Sequence, residues 1–206
     1  MPLQRLRKGQ QPSATVVRVL SAGGVLAAPT ETAYGLLVDA TSKAAVAKVL
    51  RLKGRAVGKP LPLVAANFAM VVKYCRLTKS EQRVAKAFWP GPLTLVLKAK
   101  RKFPPGVQAR DSTVGIRVPG SAWLRRLSAA LGRPLVATSA NRAGGVTLYS
   151  AAVVRRALAP RGLGYLVDAG RIKPRSTSTV VRLVGRRLIV LRPGTVSVQR
   201  LEHVLL

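Results

Sequence analysis

A group of cations lies close together where a predicted helix ends. Lys53, Arg55 and Lys59 stand a few residues apart, and glycines and a proline interrupt the helical pattern around them. A guanidinium group binds phosphate through forked hydrogen bonds, and an ammonium group binds it as a point charge. The three side chains can therefore converge on a triphosphate. Cations also suit the C-terminal end of a helix dipole, and on spacing alone a solvated helix end is the favoured alternative.

Two polar segments directly follow apolar runs that are typical of buried strands. Thr138 to Asn141 follows the run from Pro134 to Ala137, and Pro29 to Gly35 follows Val25 to Ala28. Open α/β sheets bind ligands at strand ends, so both segments are candidates for a binding site. Capping of the next turn explains the first segment equally well. Glu31 in the second segment is an acid in a chain with many possible cationic partners.

Several kinds of site are excluded by residue types. The segment from Gly54 to Pro60 is not a P-loop, because its glycines are too close together and Pro60 replaces the magnesium-binding hydroxyl residue. One cysteine and one histidine cannot form a disulfide or a zinc site. His203 lies near the C-terminus, which argues against a histidine-based triad. Cys75 is interpreted as a small buried residue, and no metal site in the protein itself is predicted.

The charge of the chain indicates a polyanionic partner. The 206 residues include 36 Lys and Arg against 6 Asp and Glu, a formal charge of +30. Such an excess attracts nucleic acid or a phosphorylated ligand, although an arginine-rich background composition explains it equally well. Aromatic residues are only 4% of the chain, which argues against a surface that stacks single-stranded bases.

Periodicity and capping signals predict an α/β fold, a single domain with a twisted open mixed β-sheet and flanking helices. The predicted helices are 13–22, 42–53, 78–88, 121–131, 150–158 and a terminal helix capped by Ser197. The predicted strands are 25–28, 61–66, 93–98, 114–118, 134–137 and 165–167, with a hairpin of 180–184 and 188–191. Residues 1–12 are predicted to be a basic flexible arm, and residues 13–206 the folded domain. The chain shows no secretory signal and no apolar run long enough for a membrane span, so a cytoplasmic protein is expected.

An ordered series of short motifs resembles the YrdC/Sua5 family of threonylcarbamoyl-AMP synthases, in its short single-domain form. The resemblance runs from about Ser13 to Gly194. The motifs are Pro29-Thr30-Glu31-Thr32 with Tyr34-Gly35, Lys53-Gly54-Arg55 with Lys59-Pro60-Leu61, Trp89-Pro90-Gly91-Pro92-Leu93-Thr94, Ser112 to Pro119, Ser139-Ala140-Asn141, Ser178-Thr179-Val180 and Arg192-Pro193-Gly194. Each motif is common, but the ordered set is specific to this family.

The resemblance implies a YrdC/RibB-like fold with a basic concave face. It implies a nucleotidyltransfer reaction in which L-threonine, bicarbonate and ATP give threonylcarbamoyl-AMP and pyrophosphate, the first step of the t6A modification of tRNA. ATP is then a substrate, and Mg²⁺ is held mainly by the ATP phosphates. Proteins that transfer the group to tRNA are implied as downstream partners, and RNA or tRNA itself as a partner of the basic face.

The resemblance also assigns residues to the two substrates. Lys53 and Arg55 are the expected catalytic residues, with Lys53 on the phosphates. The expected ATP contacts are Arg55, Lys59, Thr113, Asn141 and Arg192. The expected threonine contacts are Thr32, Arg117, Ser139 and Ser178, with Arg117 paired to the threonine carboxylate.

Tyr149 and the stretch from Arg142 to Gly145 depart from the family's usual small, Ser- and Gly-rich sequence after Ser139-Ala140-Asn141, and three single positions depart as well. Val64 stands where some members have a histidine that contacts threonine, Ala56 where proline or serine is usual, and Arg182 where an aspartate often stands. Together with the charge of +30, these changes keep an alternative open. In that alternative the chain is a YrdC paralogue that binds double-stranded RNA or tRNA and lacks synthase activity.

Overall fold

The structure is a computed structural model that describes residues 1–7, 9–55, 58, 60–185 and 187–205. These residues form seven α-helices: α1 Ala14–Ser21, α2 Lys43–Lys53, α3 Phe68–Tyr74, α4 Lys79–Phe88, α5 Ala122–Leu131, α6 Ala151–Leu158 and α7 Val198–Leu205. They also form eleven strands: β1 Leu3–Arg5, β2 Leu26–Pro29, β3 Tyr34–Asp39, β4 Leu63–Val64, β5 Cys75–Arg76, β6 Leu93–Ala99, β7 Thr113–Arg117, β8 Leu135–Ser139, β9 Tyr165–Asp168, β10 Thr179–Val184 and β11 Arg187–Arg192.

Side-chain caps begin several of the helices where the sequence predicts them. The hydroxyls of Ser13, Ser42 and Ser121 each accept a hydrogen bond from a backbone N–H in the first turn of α1, α2 and α5. Thr78 and Glu81 form the predicted capping box of α4. Because these signals are local, the starts of these helices follow directly from the sequence.

All eleven strands belong to one mixed sheet, which confirms the predicted α/β class. The strand order is β1-β9-β2-β3-β8-β4-β7-β6-β10-β11, and β5 pairs with β6 outside this path. Strands β6 and β7 are antiparallel, β10 is parallel to β6, and β10 and β11 form the predicted hairpin. The middle of the sheet therefore combines strands from distant parts of the chain.

The two faces of the sheet are covered unequally. One face packs against a large apolar cluster that receives side chains from α2, α3, α4, α6 and α7. The opposite face packs against a smaller cluster built with α1 and α5, and this cluster takes side chains from β2, β3, β4, β8 and β9. Strands β6, β7 and β10 contribute no side chain to the smaller cluster. Their second face is therefore the part of the sheet that is left open for a ligand.

The structure corrects three predictions about the elements. Leu3–Arg5 lies within the predicted flexible arm but pairs in parallel with β9, so it is an edge strand of the sheet. Of the predicted strand 61–66, only Leu63–Val64 forms a regular strand, β4. Strand β3 is buried along its whole length, although the sequence analysis placed its first residues in a polar segment and predicted no strand there.

No helix among the described residues combines the length and the apolar character that crossing a bilayer requires.

Candidate functional site

A cavity of about 790 Å³ lies on the open face of β6, β7 and β10. Alternation along each strand sends one set of side chains into the core and the other into the cavity. On β7, Val114 and Ile116 are buried in the core, whereas Thr113, Gly115 and Arg117 line the cavity. The neighbouring strands add Thr94 and Val96 from β6, and Val180 and Arg182 from β10.

The structure brings most of the expected site residues together. One cavity is lined by Thr32, Arg55, Thr113, Arg117, Ser139, Ser178 and Arg192. An adjoining cavity of about 430 Å³ is lined by Lys53 and Asn141, and it shares Arg55 and Ser139 with the first. Lys59 lies outside the described residues. The described members of the expected ATP and threonine contacts thus line two connected cavities.

Lys53 lies below the surface of the smaller cavity. Lys53 is the last residue of α2, and Gly54 after it ends the helix in a left-handed conformation (φ 58°). The residue is 3% exposed. The ammonium Nζ donates to the backbone oxygens of Ser139 at 2.6 Å and Asn141 at 2.8 Å, and to Asn141 Oδ1 at 3.1 Å. All three N–H groups of the ammonium therefore have acceptors within the protein.

These contacts change the expected role of Lys53. An ammonium whose three donors already have acceptors in the protein has none left for a phosphate, so direct phosphate contact does not follow from the geometry. Instead Lys53 holds the segment from Ser139 to Asn141 at the end of β8. Burial, and secondly the positive charge of Arg55, lowers the pKa of Lys53 to about 8.

The Lys53 contact also fixes the polar groups of Asn141 and Ser139. Asn141 Oδ1 accepts from Ser139 Oγ at 2.6 Å, and Asn141 Nδ2 donates to the backbone oxygen of Gly145. Since the Ser139 proton is given to Asn141, the Ser139 oxygen presents lone pairs to the cavity. It can accept a hydrogen bond from an amine.

Arg117 is held in the cavity wall by Glu31. Arg117 Nη1 donates to Glu31 Oε2 at 2.8 Å, and the backbone N–H of Ser121, the N-cap of α5, donates to Glu31 Oε1 at 2.6 Å. The two side chains are 11% and 19% exposed, which makes the pair stronger than a surface ion pair. Glu31 therefore links the loop after β2, the end of β7 and the start of α5.

Arg192 and Ser178 form a second polar network with Thr94. Arg192 Nη2 donates to the backbone oxygen of Ser178 at 2.8 Å and to Ser178 Oγ at 2.9 Å. Thr94 Oγ lies 3.0 Å from Ser178 Oγ. Burial, followed by the positive charge of Arg117, lowers the pKa of Arg192, so the two guanidinium groups are close enough to repel each other.

Two of the three single-position departures from the family pattern line the cavity. Val64 lies on β4 and is 1% exposed, and an apolar side chain there offers no hydrogen bond to a ligand. Arg182 Nη1 pairs with Asp111 Oδ2 at 2.8 Å. Ala56, the third departure, lies outside the described residues.

Sequence reasoning missed Thr94 and Asp111 as cavity residues. Thr94 is 2% exposed, and its neighbours along β6, Leu93 and Leu95, are core residues. Because side chains alternate along a strand, Thr94 lies on the opposite face of the sheet, which is the face of the cavity. That period-two pattern is the signal that could have identified it. Asp111 lies in the loop before β7 and has no such signal.

Metal and thiol chemistry receive no support from the described residues. They contain no group of three or more His, Cys, Asp or Glu side chains placed to hold a metal ion. Cys75 is fully buried, and burial raises the pKa of its thiol to about 12, which keeps the thiol protonated.

Comparison with protein families agrees with this geometry. The family model Sua5_yciO_yrdC, described as "Telomere recombination", matches residues 18–194, which is most of the chain. The chain belongs to the Sua5/YciO/YrdC family.

Two similar relatives and one solved structure extend this assignment. The threonylcarbamoyl-AMP synthase of Nitrosococcus oceani is 40% identical over 68% of this chain and 76% of its own length. That of Thiobacillus denitrificans is 35% identical over 89% of this chain and 96% of its own length. The crystal structure of P. abyssi Sua5 complexed with L-threonine superposes with a TM-score of 0.85 at 30% identity, over 98% of this chain. This chain spans 60% of the length of that Sua5 protein.

Proposed function

We propose that this chain is a threonylcarbamoyl-AMP synthase that uses L-threonine, bicarbonate and ATP. The observation that carries the proposal is the pair of connected cavities that the described members of the expected ATP and threonine contacts line together. The names of the two bacterial relatives, both threonylcarbamoyl-AMP synthases, support the same activity.

The proposed reaction has two bond-forming steps. The threonine amine attacks the carbon of bicarbonate, and loss of water leaves a carbamate. A carbamate oxygen then attacks the α-phosphorus of ATP, and pyrophosphate leaves with the bonding electron pair. Negative charge develops on phosphate oxygens, so fixed cations and hydrogen-bond donors lower the barrier more than a strong base does.

Threonine is assigned to the end of the cavity around Arg117. The guanidinium of Arg117, oriented by Glu31, pairs with the threonine carboxylate. The oxygen of Ser139 accepts a hydrogen bond from the threonine amine. Thr32 and Ser178 supply hydroxyl groups to the same ligand.

ATP is assigned to Arg55, Asn141, Thr113 and Arg192, with Lys59 added from the resemblance. Arg55 lines both cavities, so it can contact the phosphates where the two hollows join. Lys53 acts as a positioning residue that holds Ser139 and Asn141. A magnesium ion would be held by the nucleotide phosphates, because the described residues offer no carboxylate cluster for it.

The test of the proposed function is pyrophosphate release by the purified protein. Release should require threonine, bicarbonate and ATP together, and Arg55→Ala should abolish it. Arg126→Ala, at an exposed arginine of α5 outside the cavity, is the matched control and should retain release. Pyrophosphate release that ignores threonine, or no release while ATP still binds, would overturn the proposal.

The rate should depend on the protonation of Lys53. Below about pH 8 the ammonium is charged and donates to all three acceptors; above it the neutral amine has one donor fewer. We therefore expect kcat/KM for pyrophosphate release to fall as the pH rises through about 8. A pH–rate profile from neutral to alkaline pH measures this, and a flat profile through that region would contradict it.

Unfolding does not explain a fall in kcat/KM above pH 8, because the titration of Lys53 changes the free energy of unfolding in the opposite direction. The pKa of Lys53 is about 8 in the folded chain against an ordinary value of 10.5. Between these values the unfolded state binds more protons, so this group makes folding more favourable as the pH rises. Thermal unfolding at each pH is the control that separates the two effects.

The proposal also includes tRNA and the proteins that act after the synthase as partners of this chain. The comparisons favour the synthase over the paralogue that only binds RNA. The charge of +30 supports tRNA as an additional partner, together with the proteins that transfer the group to it. A tRNA-modifying role supports a cytoplasmic location.

A further inference from the structure

Asp111, Thr113 and Arg182 form a polar group at one end of the larger cavity. Thr113 Oγ donates to Asp111 Oδ1 at 2.6 Å, and the Thr113 backbone N–H donates to the same oxygen at 3.2 Å. Arg182 Nη1 occupies the other carboxylate oxygen at 2.8 Å. Thr113 is 4% exposed, so its hydroxyl has little freedom to turn away from Asp111.

This arrangement determines what Thr113 can do for a ligand. The Thr113 hydrogen bond, and after it the Arg182 contact, lowers the pKa of Asp111, which keeps the carboxylate ionised. An ionised carboxylate only accepts hydrogen bonds, so the hydroxyl proton of Thr113 points to Asp111. The oxygen of Thr113 then offers the cavity only lone pairs. A ligand group next to it must be a donor.

The acceptor at Thr113, more than the charges of the two cavities, sets the direction of a bound nucleotide. Asp111 is the one acidic side chain among the described residues that line the larger cavity. The described residues lining the smaller cavity include Lys53, Arg55 and Arg142 and no acid. The described residues that line the larger cavity also include six arginines, and Asp111 is paired with one of them, Arg182, so net charge does not orient the nucleotide. The Thr113 hydroxyl, however, has no proton left for a phosphate oxygen. We therefore assign the phosphates to Arg55, which lines both cavities, and the nucleoside end to Thr113.

The floor next to Thr113 suits a flat ring. Val96 of β6 and Gly115 of β7 are directly paired in the sheet, and Thr94 of β6 is paired with Val180 of β10 on its other side. All four line the cavity, and Gly115 adds no side chain to the floor. A base placed on Val96 and Gly115 brings its edge to Thr113, one alternation further along β7.

We propose that Thr113, held by Asp111 and Arg182, selects adenine by accepting a hydrogen bond from its exocyclic amino group. Guanine and hypoxanthine carry a carbonyl oxygen at that position, and there two acceptors would face each other without a proton between them. This inference rests on the proposed function for the identity of the nucleotide. It goes further in naming the residues that choose the base, two of which, Asp111 and Arg182, the resemblance does not assign.

The test compares the dissociation constants of ATP and inosine triphosphate, in which the C6 amino group is replaced by a carbonyl oxygen and N1 changes from an acceptor to an N–H donor. The wild-type chain should bind ATP more tightly by about tenfold or more, since a site built for a donor leaves its acceptor unpaired against a carbonyl. Thr113→Val should remove most of this preference, and Thr113→Ser, which keeps the hydroxyl, should retain it. Asp111→Ala frees the hydroxyl proton of Thr113 to turn toward the ligand, so the preference should shrink.

The possible outcomes separate this inference from the proposed function. Equal binding of ATP and inosine triphosphate, with threonine-dependent pyrophosphate release intact, overturns the base selection alone. If Thr113→Val keeps the preference but loses discrimination against deoxyadenosine triphosphate, Thr113 contacts the ribose and the inference is wrong. If neither nucleotide binds, both proposals fail.

Discussion

Lys53→Met is expected to lower kcat/KM for pyrophosphate release by about tenfold or more. Methionine is nearly as long as lysine but removes the ammonium that donates to the backbone oxygens of Ser139 and Asn141. The Ser139 oxygen keeps a hydrogen bond from the Asn141 N–H at 2.9 Å, so the loss falls mainly on the Asn141 oxygen. A hydrogen bond to a charged group contributes about 1.5–3 kcal/mol, and every 1.4 kcal/mol corresponds to about tenfold in rate. The segment that carries two expected ligand contacts should then leave its catalytic position. Steady-state kinetics together with urea unfolding measures the effect.

The matched control for this variant is Lys48→Met. Lys48 lies on the same helix and also donates to a backbone oxygen, that of Gly23 at 2.8 Å, but it is solvent-exposed and lies outside both cavities. It should keep turnover close to that of the wild-type chain. A folded Lys53→Met variant with nearly normal kcat/KM would contradict the positioning role.

Glu31→Gln is expected to raise the KM for threonine by about tenfold, the usual size of a lost charge-assisted hydrogen bond. Without the carboxylate, the positive charge of Arg117 is no longer neutralised beside Arg192, and the two guanidinium groups should move apart. The carboxylate of threonine then loses its oriented partner. The KM for ATP should change less, because Arg192 is the one expected ATP contact among the described residues that lies beside this pair.

Glu81→Gln provides the control for Glu31→Gln. Glu81 also accepts from a backbone N–H at the start of a helix, that of Thr78 at 2.7 Å, but it belongs to the capping box of α4. Its substitution should lower thermal stability and leave the KM for threonine unchanged. If Glu31→Gln behaves in the same way, Glu31 only ties α5 to the sheet and does not position Arg117.

Local signals made much of the fold predictable. The capping residues Ser13, Ser42, Thr78 and Ser121 start helices because each satisfies a backbone donor within three residues of itself. Strand β3 was missed for the opposite reason. It is buried on both faces in the middle of the sheet, so its sequence lacks the alternation that marks a half-buried strand.

The sequence predicted which residues line the site, but it did not predict the hydrogen bonds and ion pairs between them. The motifs pointed to residues that the structure gathers around two connected cavities. The role of Lys53 depends on acceptors 86 and 88 residues further along the chain, and no spacing rule connects them. The pairing of Arg182 with Asp111 likewise requires the folded sheet, in which β10 and β7 lie on either side of β6.

The most direct test of the shared cavity is the identity of the adenylate product made from isotope-labelled bicarbonate. If carbamate and ATP meet in one hollow, mass spectrometry should find threonine and adenylate joined through a carbonyl group that carries the label. An unlabelled adenylate of threonine, or AMP alone with no threonine attached, would show that the two substrates do not react there as described.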